Sequence, residues 1–174
     1  MSEKFIPEHI DPFRYAEQGL TLSGAVKLEN LHRIANNLNS LEGKVHVDLS
    51  FHMDDHKIAN IKGKLEATLT LQCQRCMGPF IYEIMADFAL GVVNTLKEAN
   101  ALPEHYEPVI AEEGGQLSLY QVVEDELILG LPIIPKHEPE VCAVKLETTE
   151  TGVGQDKTKN PFHVLETLKK QKSR

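Results

Sequence analysis

Two cysteines three positions apart, Cys73 and Cys76, stand in the string TLQCQRCMGPF, residues 70–80. Thiols at that spacing can hold a metal, cycle a disulfide or do no chemistry. With Met77, Gly78 and Pro79 after them, the pair has the shape of a zinc knuckle. A tight turn lets both thiolates point at one ion, and the glycine lets backbone amides approach the sulfurs. Tetrahedral zinc needs two further donors, and His137 and Cys142 in KHEPEVC, residues 136–142, are the candidates. In the redox reading Arg75 between the thiols favours a thiolate. A thioredoxin-type CxxC, however, opens a helix in a βαβ unit, whereas the patterns around this one are those of a β-hairpin. The plainest reading buries Cys73 in the core as a small hydrophobe and leaves Cys76 in a loop.

The remaining polar clusters carry less chemistry. Glu124, Asp125 and Glu126 are consecutive acids on a predicted helix, which sends neighbours to different faces. They read as a solvated helix face, and as the acidic contact for a basic partner, rather than as paired catalytic carboxylates. His46 and His52 share one side of a predicted strand but lie roughly 20 Å apart, too far to share a ligand. The phosphate-binding P-loop, the dinucleotide glycine motif, the nucleophile elbow and the H-E-x-x-H pair are all missing, so nothing points to an enzyme.

The elements that would position the cysteines are legible from periodicity. Leu28, Leu31, Ile34, Ala35 and Leu38 form one stripe and predict an amphipathic helix over 28–38. Val45, Val47, Leu49, Phe51 and Met53 alternate with polar residues, a half-buried strand. After a turn at Asp54, Asp55 and His56, a second alternation runs through Ile61, Gly63, Leu65, Ala67, Leu69 and Leu71 and puts Cys73 on the apolar face. A third strand follows the knuckle, with Phe80, Tyr82, Ile84, Ala86, Phe88 and Leu90 inward. Three sequential strands with short connections predict an antiparallel meander.

Residues 99–115 read as a long loop with one short strand near Glu107–Ala111. Ser118 and Gln121 match a capping box and open a helix that Gly130 and Pro132 end. The expected fold is therefore α+β: an antiparallel meander packed against two main helices, 28–38 and 119–130. It occupies a single domain over 1–147, and 148–174 forms a flexible linker, 148–160, and a short basic C-terminal helix.

Composition sets the outer bounds. The chain has 174 residues, 41% hydrophobic and 25% charged, which are ordinary globular values that leave room for a real core. No apolar run is long enough to span a bilayer, and the first nineteen residues carry neither an apolar signal region nor a twin arginine. With three cysteines, an odd number, a disulfide framework is not expected, and the reading is a cytoplasmic protein. The net charge of −8 is uneven. Residues 101–147 hold two basic and ten acidic side chains, whereas 156–174 hold six basic and two acidic. The acidic part repels a phosphate backbone, while Lys169, Lys170, Lys172 and Arg174 in the tail are the candidate RNA contacts.

The strings LQCQRCMGPF, ALPEHYEPV, VEDELILGLPIIPKHEPEVC and NPFHVLETLKK, spread along nearly the whole chain, resemble those of the bacterial YceD family, the large ribosomal RNA subunit accumulation proteins. The resemblance implies a role in synthesis, processing or stability of 23S ribosomal RNA. It implies no reaction and carries over no catalytic residue. The resemblance also implies that many distant relatives have a richer cysteine cluster after the long helix, where this chain has Cys142 alone. Two function classes follow. One is a non-enzymatic ribosome-biogenesis factor whose tail touches 23S rRNA or its precursor; the other is an adaptor whose acidic surface docks a basic ribosomal or rRNA-processing protein. A small zinc or redox protein is the third alternative.

Overall fold

The computed structural model describes residues 4–138 and 140–144. In chain order they form β1 (His9–Ile10), α1 (Pro12–Glu17), β2 (Thr21–Lys27), two 3₁₀ turns (Leu28–Asn30 and Ile34–Asn37), β3 (Leu38–Ser40), β4 (Lys44–Met53) and β5 (Ala59–Gln72). Then follow β6 (Pro79–Val93), α2 (Leu96–Ala99), β7 (Glu107–Ile110), β8 (Leu117–Ser118) and α3 (Leu119–Gly130). The predicted linker and basic tail lie outside the described residues.

Strict alternation produces the central hairpins. In β5, Ile61, Gly63, Leu65, Ala67, Leu69 and Leu71 are buried while Lys62, Lys64, Glu66 and Thr68 are exposed, as a period of two requires. Direct pairing of Leu49 with Gly63, and of Gly63 with Phe88, keeps these rows on one face. Gly63 is needed there: a Cβ would fall 2.0 Å from the Phe88 ring. Helix α1 lies against β4 and β5, and α3 lies against β6. The Tyr15 ring meets Phe51 edge-on at a centroid distance of 5.1 Å.

The sheet is mixed rather than a pure meander. Its path is β2-β4-β5-β6-β7, with β3 pairing the far end of β5. β4, β5 and β6 pair antiparallel as expected, but β7 runs parallel to β6. The reason is the connection: residues 94–106 return the chain to the same end of the sheet before β7 begins, and only a crossover of about a dozen residues can do this. Leu102 and Tyr106 of that crossover press on Gly91, where a Cβ would lie 2.9 Å from Leu102 Cδ1. The strand predicted near Glu107–Ala111 is β7.

The predicted helix over 28–38 is replaced by the two 3₁₀ turns. Its apolar positions are nonetheless correct, since Leu28, Leu31 and Ile34 are buried. Two causes break the helix. Asn30, Asn36 and Asn37 have poor helix propensity, and Leu31 is extended at φ −105°, ψ 95°. The amides of Arg33 and Ile34, which a helix would bond to its preceding turn, donate instead to the Glu124 carboxylate of α3. α3 itself forms where the Ser118 hydroxyl accepts from the Gln121 amide at 3.4 Å. No helix among the described residues is long and apolar enough to cross a membrane.

Candidate metal centre

The β5–β6 hairpin delivers Cys73 and Cys76. Its loop is closed by two backbone bonds, Cys73 N–H to the Gly78 carbonyl and Met77 N–H to the Cys73 carbonyl, each 2.9 Å. Met77 takes φ +60° to make the turn. The segment after α3 delivers the other pair. Gln74 N–H donates to the Pro135 carbonyl at 2.9 Å and docks residues 135–137 on the knuckle. Cys142 is carried in by a tight turn in which the amides of Val141 and Cys142 both donate to the Glu138 carbonyl, at 3.1 Å.

The ligating atoms of Cys73, Cys76, His137 and Cys142 all lie within 4.8 Å of one another. A tetrahedron with Zn–S bonds of 2.3 Å has edges of about 3.7 Å, so a modest contraction seats an ion. Three sulfurs and one imidazole are a borderline-soft set, suited to zinc. The imidazole is already oriented: Nδ1 lies 3.3 Å from Cys76 Sγ, and Nε2 lies 3.2 Å from the Pro79 carbonyl. A proton on Nε2 bonded to that carbonyl leaves Nδ1 as the metal-facing nitrogen. The Phe80 ring stands beside His137 at 5.2 Å.

Electrostatics favour a thiolate at Cys73, which is wholly buried. Burial pushes its thiol up, but amide hydrogen bonds from Cys76, His137 and Arg75, with help from the His137 side chain, more than reverse this and lower it to about 5. The amides of Arg75 and His137 each sit 3.4 Å from its sulfur. At Cys76 the Gly78 amide lowers the thiol, yet burial and the neighbouring sulfurs of Cys73 and Cys142 outweigh it and leave the value raised. Like charges within one small site cannot all ionise without a cation.

The other candidate residues are placed differently. Lys169, Lys170, Lys172 and Arg174 lie outside the described residues. His46 and His52 are exposed, paired across β4 and β5 with Glu66 and Asn60. The acidic trio is not a uniform solvated face. Glu124 is buried and turned to the amides of Arg33 and Ile34, and Asp125 forms an ion pair with Arg33. A carboxylate so engaged offers little to an incoming basic partner, and no local pattern reveals this because Arg33 is about ninety positions away.

Glu126 is also largely buried, and this has a measurable consequence. Burial, followed by the carboxylates of Glu107 and Asp125, pushes it up from 4.5 to about 7. Between those values the folded chain binds more protons than the unfolded one, so stability falls as pH rises from about 4.5 to about 7. Glu126→Gln should flatten urea-midpoint profiles in that window. At pH 8 it should be about 1 kcal/mol more stable than the parent, a figure reduced for solvent screening. Equal slopes in both proteins would contradict this account.

The family model described as "Large ribosomal RNA subunit accumulation protein YceD" matches residues 61–169, a span that contains all four ligand candidates. A curated protein from Haemophilus influenzae, "Large ribosomal RNA subunit accumulation protein YceD", is 35% identical over 174 residues, covering 98% of this chain and 100% of that protein. No solved structure matches.

Proposed function

Because the chain belongs to the YceD family of large ribosomal RNA subunit accumulation proteins, we propose that it supports accumulation of 23S rRNA as a non-enzymatic biogenesis factor whose fold is closed by zinc. Family membership supports the biological direction. The observation that carries the rest is the convergence of Cys73, Cys76, His137 and Cys142, which would tie the β5–β6 hairpin to residues 135–142. A bound zinc would supply a cross-link between segments about sixty residues apart in sequence, and the amides of Arg75 and His137 orient the Cys73 sulfur to receive it.

Contact with RNA is assigned to the tail, because residues 101–147 carry a net charge of −8 that opposes a phosphate backbone. A second reading rests on the same charge: the body docks a basic ribosomal or rRNA-processing protein and acts on rRNA indirectly.

Cells lacking the protein should show a reduced 23S to 16S ratio. The full chain should restore it, and a chain truncated at Gln155 should not. Full rescue by the truncation favours the adaptor reading, and an unchanged ratio in the deletion strain removes both. Replacing Lys169, Lys170, Lys172 and Arg174 by alanine should flatten the salt dependence of RNA association, at about 0.7–0.9 in the log–log slope per lost phosphate contact.

A further inference from the structure

The three cysteines are unequally exposed. Cys73 and Cys142 are 0% and 2% exposed, whereas Cys76 is half-buried at the rim of the knuckle. Cys76 is therefore the cysteine that an oxidant reaches first. The two thiols behind it also differ in freedom. Cys73 is fixed at the end of β5 by its own amide and carbonyl bonds within the hairpin, and its sulfur accepts from two backbone amides. Cys142 sits on a turn whose described backbone bonds are local, both to Glu138, so it can move toward Cys76 without disturbing the sheet. Their sulfurs lie within 4.8 Å of each other, and a disulfide needs closure to about 2.05 Å.

We propose that the cluster is a hydroperoxide-sensitive clasp in which Cys76 and Cys142 are oxidised to a disulfide and the zinc is released. This rests on the metal reading given above. The Cys76 sulfur attacks one oxygen of hydrogen peroxide, the O–O bond breaks, and hydroxide leaves, giving a sulfenic acid at Cys76. The Cys142 sulfur then attacks the Cys76 sulfur; the S–S bond forms and the S–O bond breaks, with hydroxide leaving again. Two thiolates give up two electrons, hydrogen peroxide is reduced to two waters, and two protons are taken up from solvent. Zinc loses two of its four donors, and His137 with Cys73 cannot retain it, because structural zinc sites need four. The segment after α3 then keeps one covalent tether but loses the geometry that the ion imposed.

The test uses the full-length chain purified with zinc and treated with hydrogen peroxide. Metal release is followed with a chromogenic chelator, and disulfides are mapped on unreduced peptides. The expected result is release of zinc in step with a Cys76–Cys142 bridge, reversed by dithiothreitol and added zinc. A Cys73–Cys76 bridge overturns the proposal, as does zinc retained with all three thiols free. Cys142→Ser should arrest oxidation at a Cys76 sulfenic acid that dimedone traps; if that variant does not fold, the parent map decides alone. A parent chain that carries no zinc before treatment fails the metal reading itself, a separate outcome from zinc that is bound but does not leave.

Discussion

Removing metal with a strong chelator should lower the thermal midpoint of the chain, and adding zinc should restore it. An ion that binds only the folded state stabilises it by about 4 kcal/mol at a free concentration a thousand times its Kd. In a chain of this size that is on the order of 10 °C in midpoint. Protein prepared without chelator should carry close to one zinc per chain, as a closed four-donor site requires, and Cys76→Ser should lose it. The effect should weaken on acidification, because the Cys76 thiol is raised and zinc must displace its proton. A midpoint that ignores both chelator and zinc sinks the metal centre.

Glu124→Ala should destabilise the fold by about 2–4 kcal/mol, because the amides of Arg33 and Ile34 lose their shared acceptor in a buried site. Glu124→Gln keeps a carbonyl oxygen in place and should cost about 1 kcal/mol. Urea unfolding of the two variants separates the loss of an acceptor from the loss of a charge. An alanine variant within about 0.5 kcal/mol of the parent, the range of an ordinary surface change, would show that the carboxylate is not holding the 3₁₀ turns.

The candidate metal site was partly legible. The cysteine spacing pointed to a knuckle, and His137 and Cys142 were the available second pair. What could not be read was that the Pro79 carbonyl holds Nε2, or that the Arg75 and His137 amides bond to Cys73. Those groups belong to the backbone, which every residue has, so no residue type marks them.

The sequence by itself determined the three long strands and, apart from Met53, which is exposed, their inward faces. A strand buries alternate side chains wherever it pairs, so the pattern from Val45 to Leu90 survives in any topology that covers one face. It also determined which residues of 28–38 are buried, but not their backbone conformation. Leu28, Leu31 and Ile34 can face a core from a helix or from two short turns, and the choice fell to a carboxylate arriving from α3. The partnership of β2 with β4 and the parallel direction of β7 were likewise decided by tertiary structure. Thr21–Lys27 has only a weak alternation of its own, and strand direction depends on the path of the connecting chain rather than on any residue in the strand. Hydrophobic period is a local property that each segment carries with it; pairing, direction and capping by distant groups exist only once segments far apart in the chain have met.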